Sequence, residues 1–345
     1  MVFGTSIALL SLVFPEKERG KAIGLNVTFM FAGFTAGLLA GGFVTFYLSW
    51  RILFAVATVL AVVNIYLIFS KVRGECELSR EKSYDLIGMA LFAASLLLVF
   101  YGLSEITADI GRYCLLAGGI LTFGLIVWER HYPRPIITKE VSRNRIFLLA
   151  IVTNIVFQAG SFAIPFLLSL YSQLNLGLDP RAASFVLLIP QVLMTVMSSM
   201  SGRLMTRLRD RTVTGLGAAI NAGGLLVLLV MPGEVSVAGM MISLVFIGVG
   251  TGLFMPALID WAMGSIVRKE YGVASAVTET ARLLGMTISN VILILIISAV
   301  AAGSMEQGAI GDLPDIVRLS ALVFLALTLS VLIPSFTSKG AWPGH

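Results

Sequence analysis

The segment Val237–Leu258 runs for 22 positions without one charged residue, and stretches of this kind recur along the whole chain. About 20 mostly apolar residues are what a helix needs to cross a ~30 Å hydrocarbon core. Inside lipid every backbone amide must find its partner within the protein, so spanning segments are helices or closed barrels. Barrel strands would alternate apolar and polar side chains over about 10 positions. Here apolarity is continuous instead, which predicts helices. Composition agrees: 57% of the 345 residues are hydrophobic and 12% charged. Soluble domains carry roughly 25% charged residues, so lipid rather than water must solvate much of this surface.

Reading for such runs gives ten full spans, near 23–46, 51–70, 84–103, 112–129, 146–171, 183–201, 213–231, 236–259, 272–301 and 317–335. The fold class expected is an all-α polytopic membrane protein. A shorter apolar piece, Val2–Phe14, precedes the spans. At ~1.5 Å per residue it reaches only about 20 Å, and it reads as the inner end of a helix whose beginning is missing.

Loop charges test the partition. With Lys17, Arg19 and Lys21 placed in the cytoplasm, alternation collects 19 of the 24 Lys and Arg residues on that side. They include Lys71, Arg73, Arg80, Lys82, Arg130, Arg134, Lys139, Arg143, Arg145, Arg203, Arg207, Arg209, Arg211, Arg268, Lys269 and Lys339. The outside receives Arg51, Arg112, Arg181 and Arg318, and Arg282 lies within a span. A wrong span count would scramble this asymmetry, so the positive-inside rule predicts ten crossings and a cytoplasmic C-terminus. The loops 71–83 and 130–145 suggest three parts: 1–83 as the remainder of an N-terminal bundle, 84–145 as a central helix pair with its linker, and 146–345 as a C-terminal bundle of six spans.

The net charge of +5 is accounted for by these short loops and calls for no nucleic-acid partner. Cys76 and Cys114 form neither a zinc pattern nor a disulfide framework. His131 and His345 are too scattered for a metal site. There is no nucleophile–base arrangement, carboxylate pair or phosphate-binding glycine loop, so neither catalysis nor a cofactor is expected, and no cleavable signal peptide is visible.

Three clusters remain as candidates for function. Gly33, Gly37 and Gly41, with Gly42 beside them, lie nearly on one helix face and would let a neighbouring backbone approach closely; simple helix packing explains the spacing equally well. Ser201–Arg211 is a tight basic turn containing Gly202, Arg203, Arg207, Arg209, Asp210 and Arg211. It could latch helix ends across the cytoplasmic face, or only anchor them there. Glu279 and Arg282 are charges within a span, costly unless they face an interior or a water-filled path. Their i,i+3 spacing allows pairing, either as a structural lock or as a gate or proton-linked site. Gln158, Gln191 and Asn221 are polar positions in other spans, and Pro165, Pro190 and Pro256 interrupt backbone hydrogen bonding nearby. Asp260 is expected at the membrane interface.

At these residues the chain resembles the major facilitator superfamily, in particular its fourteen-helix drug–proton antiporter branch. Phe14-Pro-Glu-Lys-Glu-Arg-Gly-Lys-Ala-Ile-Gly24 is similar to the loop after that family's fourth helix, and Gly33–Gly42 to the antiporter signature of helix five. Ser49-Trp-Arg51 resembles the turn into helix six, and Pro165–Gln173 with Leu188-Ile-Pro190 resembles helices nine and ten. Gly202–Arg211 is similar to the rear basic loop, and Gly272–Gly285 to helix thirteen. The pair of spans between 84 and 129 matches the two extra helices of the fourteen-helix branch. Leu38 replaces the proline of the helix-five signature, Thr206 an aspartate and Arg209 a glycine of the basic loop. The family's first three helices and the start of its fourth have no counterpart, and the proton-coupling residues placed there cannot be assigned to this chain.

The resemblance implies a helical-bundle secondary transporter in the cell membrane, exporting small organic or drug-like molecules with protons as the coupling ion. Gln158, Gln191, Asn221, Glu279 and Arg282 would contribute to its cavity or gates. The alternative is a truncated or split subunit that does not transport by itself and is completed by a separately encoded N-terminal piece.

Overall fold

The computed structural model describes residues 2–47, 49–71, 85–132, 136–178, 180–231, 236–303 and 313–337. Among them the chain is helical: α1 (Val2–Val13), α2 (Glu16–Tyr47), α3 (Trp50–Lys71), α4 (Leu86–Ser104), α5 (Asp109–His131), α6 (Lys139–Arg143), α7 (Arg145–Ala159), α8 (Ile164–Leu174), α9 (Pro180–Leu204), α10 (Asp210–Val230), α11 (Val237–Gly264), α12 (Tyr271–Gly303), α13 (Leu313–Ser330) and α14 (Leu332–Thr337). Ten stretches of the described residues are long and apolar enough to cross a membrane, and Gly4–Val13 is a shorter apolar helix. The protein is an all-α polytopic membrane protein, as its hydropathy predicts. Arg73, Cys76, Arg80, Lys82, Arg134, Lys339 and His345 lie outside the described residues.

Local chemistry sets several helix starts. Asp85 accepts a hydrogen bond from the Gly88 amide at the head of α4. Asn144 accepts from the amides of Ile146 and Phe147 at the head of α7, and Ser236 accepts from Gly239 at the head of α11. Each cap satisfies amides that have no carbonyl partner within the first turn.

One expected span is divided. The run 146–171 forms two half-helices, α7 and α8, separated by a turn at Gly160–Ala163. Pro165 sits in the first turn of α8, where its missing N–H costs little. Backbone groups of the turn are met from distant helices: the Ala163 amide donates to the Ser289 hydroxyl on α12, and the Thr328 hydroxyl on α13 donates to the Gly160 carbonyl. Such a break survives at membrane depth because neighbouring helices satisfy what the helix gives up.

Helices pack around two apolar cores. One joins Ile7 of α1 and Ile23, Val27 and Phe31 of α2 to Phe157, Phe254, Met255 and Ala274 of the rear helices. There the rings of Phe157 and Phe254 stack with centroids 3.5 Å apart. The other gathers Leu167, Tyr171, Leu225, Leu244 and Phe324. α4 and α5 pack on each other, and Trp128 of α5 donates to Asp85 at the start of α4. No residue of Arg51–Ser70 in α3 is buried.

Candidate functional site

α2 docks on α9 through glycine, but not through the glycines the sequence singles out. A Cβ on Gly24 would stand 2.9 Å from the Gly202 Cα and 3.1 Å from the Ser198 carbonyl oxygen, so the two backbones touch there. Nearby, the hydroxyls of Thr28 and Ser198 are 2.9 Å apart. By contrast, nothing among the described residues lies within 4 Å of a Cβ built on Gly33, Gly37 or Gly41. The helix carrying them, Gly42 included, continues without a break to Tyr47. The reason is register: α2 makes its close approach within its first four turns, up to Thr28, and the later glycines lie beyond it.

The same end of the molecule carries a charge pair that the sequence does not announce. Arg19 Nε donates to Asp260 Oδ1 at 2.6 Å, and the two side chains are only 4% and 7% exposed. Arg19 Nη1 also reaches the Tyr271 hydroxyl at 3.4 Å. Arg19 therefore lies within a helix rather than in a loop: α2 turns its first residues inward onto α11, and each charge is buried against the other. Of the basic turn, Gly202 is buried at the α2 contact, whereas Arg203, Arg207 and Arg209 are exposed. Asp210 opens α10, and the Arg211 guanidinium lies 5.0 Å from the centre of the Trp261 ring.

Above this closed end lies a cavity of about 830 Å³. Its wall begins about a third of the way along α12: Arg282 stands eleven residues into that helix of 33, about 16 Å along the axis. The broken crossing contributes Gln158, Ser161, Phe162, Pro165 and Phe166, and α2 contributes Met30, Phe31 and Phe34. α9 adds Leu187, Gln191 and Met194; α11 adds Ile247, Thr251 and Met255; α12 lines it from Arg282 to Ile297. Three of the expected residues, Gln158, Gln191 and Arg282, thus meet at one site.

The other two stand one layer behind. Asn221 accepts from the Ser161 hydroxyl at 3.1 Å and donates to the Thr251 hydroxyl at 3.2 Å, tying two wall residues to α10. Glu279 accepts from both Nε and Nη2 of Arg282, the first at 2.9 Å. Arg282 Nη1 turns to the Met286 sulfur at 3.5 Å. Among the described residues Gln191 Oε1 is buried without a hydrogen-bond partner, an unmet acceptor in the wall. Ser161, Thr251 and Asn290 escape a sequence search because small polar residues are common inside spans.

Comparison with known proteins follows the geometry. Residues 1–290 match the sequence profile of the Major Facilitator Superfamily. The chain belongs to that superfamily. Relatives of this facilitator include the multidrug resistance protein Stp of Mycobacterium tuberculosis, 25% identical over 91% of this chain and 59% of the relative. A triacylglyceride transporter of Mycolicibacterium hassiacum is 26% identical over 82% of this chain and 56% of its own length. The probable actinorhodin transporter of Streptomyces coelicolor is 24% identical over 88% and 56%. The chain therefore spans less than two thirds of the length of these curated relatives. Among solved structures, the superfamily transporter FucP in its outward conformation shares the fold, with a TM-score of 0.52 at 13% identity over 97% of this chain and 73% of that one.

Proposed function

We propose that this superfamily member is a secondary transporter that exports small lipophilic molecules across the cell membrane in exchange for protons. The observation that carries the reading is the cavity at the α7–α8 break, walled mainly by Phe, Met and Leu side chains and stopped at one end by the α2–α9–α11 contact. Binding sites of transporters lie at mid-depth beside discontinuous helices, and alternating access consists of opening one end while closing the other. In this reading the basic end is cytoplasmic, as is the C-terminus, and the Arg19–Asp260 pair holds that end shut.

The relatives named for multidrug resistance, triacylglyceride transport and actinorhodin transport support a cargo rich in apolar surface. A cavity of about 830 Å³ suits drug-sized ligands, whose pockets run from ~300 to ~1,000 Å³. Glu279 holds Arg282 in place beside the cargo through two hydrogen bonds.

The test uses Nile red, an uncharged lipophilic dye. Cells producing the protein should lose preloaded dye faster than control cells. The Leu187→Trp variant, which intrudes on the cavity, should reduce the difference, and a protonophore should abolish it. Efflux no faster than in control cells would sink the reading.

A further inference from the structure

The charge pair at the cavity wall has an orientation, and the orientation selects cargo. Arg282 lines the cavity, whereas Glu279, which holds it, does not. The pair as a whole is neutral, but it presents its cationic end to whatever occupies the space. Among the described residues no Asp or Glu belongs to the wall, whose remaining polar members are Gln158, Ser161, Gln191, Thr251 and Asn290. The first turn of α8 brings Pro165 and Phe166 into the same wall, so the positive end of that helix dipole adds to the same sign.

Resting on the reading of this cavity as the cargo site, we propose that it takes lipophilic organic anions and rejects lipophilic cations, with Arg282 as the specificity-determining residue. An aromatic acid or phenolate would lay its rings against Phe31, Phe162 and Phe166 and direct its anionic oxygen to the Arg282 guanidinium. A cation of the same size would bring like charge to Arg282 in a low-dielectric wall without a carboxylate to compensate, which disfavours it strongly. Glu279 acts as a positioning residue. It fixes the guanidinium through two hydrogen bonds, so the pair meets the cavity as a dipole whose cationic end faces the cargo.

The discriminating probes are tetraphenylborate and tetraphenylphosphonium, nearly the same shape with opposite charge. Equilibrium dialysis against the purified protein in detergent should give tetraphenylborate a Kd at least about tenfold lower, since reversing the sign of a charge beside a guanidinium in a low-dielectric wall is worth at least one decade. Leu187→Trp, which intrudes on the cavity wall, should weaken that binding several-fold, which places it in the cavity. The uncharged double variant Glu279→Gln/Arg282→Gln should bind both ions alike, and Arg282→Lys should keep the preference. Cation binding as tight as anion binding, weakened in Leu187→Trp, would overturn the inference and leave the cavity reading standing. A preference undiminished in the double variant would also overturn it, by removing Arg282 as its source. If Leu187→Trp affects neither ion, the cavity reading falls together with the inference.

Discussion

Arg19 and Asp260 stand 241 positions apart in sequence and 2.6 Å apart in space. They join the first turn of α2 to the last turns of α11, at the end of the protein where Gly24 also touches Gly202. Removing one partner of a buried pair leaves an uncompensated charge and costs about 3–5 kcal/mol.

Substituting Asp260→Asn is therefore expected to open this end. The readout is a cysteine placed at Ser198, which is fully buried and faces Thr28 across the α2–α9 contact, in a background lacking Cys76 and Cys114. A water-soluble maleimide should label it several-fold faster in the Asp260→Asn variant than in the parent. Equal labelling rates would mean that the pair does not hold the end closed.

The two glycine sets should behave oppositely. Gly24→Ala must push the Gly202 backbone away from a contact of 2.9 Å, and overpacking of this kind costs about 1–3 kcal/mol. Gly33→Ala meets nothing within 4 Å and gains helix propensity of about 1 kcal/mol. Thermal unfolding in detergent should show a lower Tm for the first variant and an unchanged or higher Tm for the second. The reverse order would place the essential contact at the wrong glycines.

Asn221 does not touch the cavity, yet it holds two of its wall hydroxyls. Asn221→Ala leaves Ser161 and Thr251 without their shared partner, a loss of about 1–3 kcal/mol. A fall in Tm accompanied by weaker ligand binding is expected. Leu225→Ala, in the second core away from the wall, should lower Tm while leaving binding unchanged. Binding unaffected by Asn221→Ala would confine its role to packing.

At the break, Ser289→Ala removes the acceptor for the Ala163 amide. Hydrogen exchange followed by mass spectrometry should quicken over residues 160–163 and stay unchanged in α10. Protection retained at the break would show that its amides do not depend on α12.

The spans were legible in the sequence because lipid imposes one demand everywhere, and hydropathy with loop charge records it. The Glu279–Arg282 pairing was legible too, since three residues on one helix fix its geometry. The division of 146–171 was not. Gly160-Ser161-Phe162-Ala163 is almost as apolar as its flanks, and Pro165 alone is compatible with a kink or a fresh helix start. What decides between these is Ser289 and Thr328, 126 and 168 positions away from their partners. The pairing of Arg19 with Asp260 was hidden for the same reason: 241 positions separate them, and they meet only once α2 is docked on α11. Gln158, Gln191 and Arg282 could be named as polar residues in apolar surroundings, but only helix rotation tells which face one cavity and which, like Asn221, brace it.

The break also changes how this crossing meets the bilayer. α7 and α8 have 15 and 11 residues, about 22 and 16 Å of helix, so neither rod alone reaches across a ~30 Å core. An unbroken helix answers a thicker or thinner membrane by tilting as a whole. Here the adjustment falls on the angle between two rods, and the joint lies beside Gln158 and Phe162 in the cavity wall. A change in lipid chain length that altered this angle would alter the shape of the cavity with it.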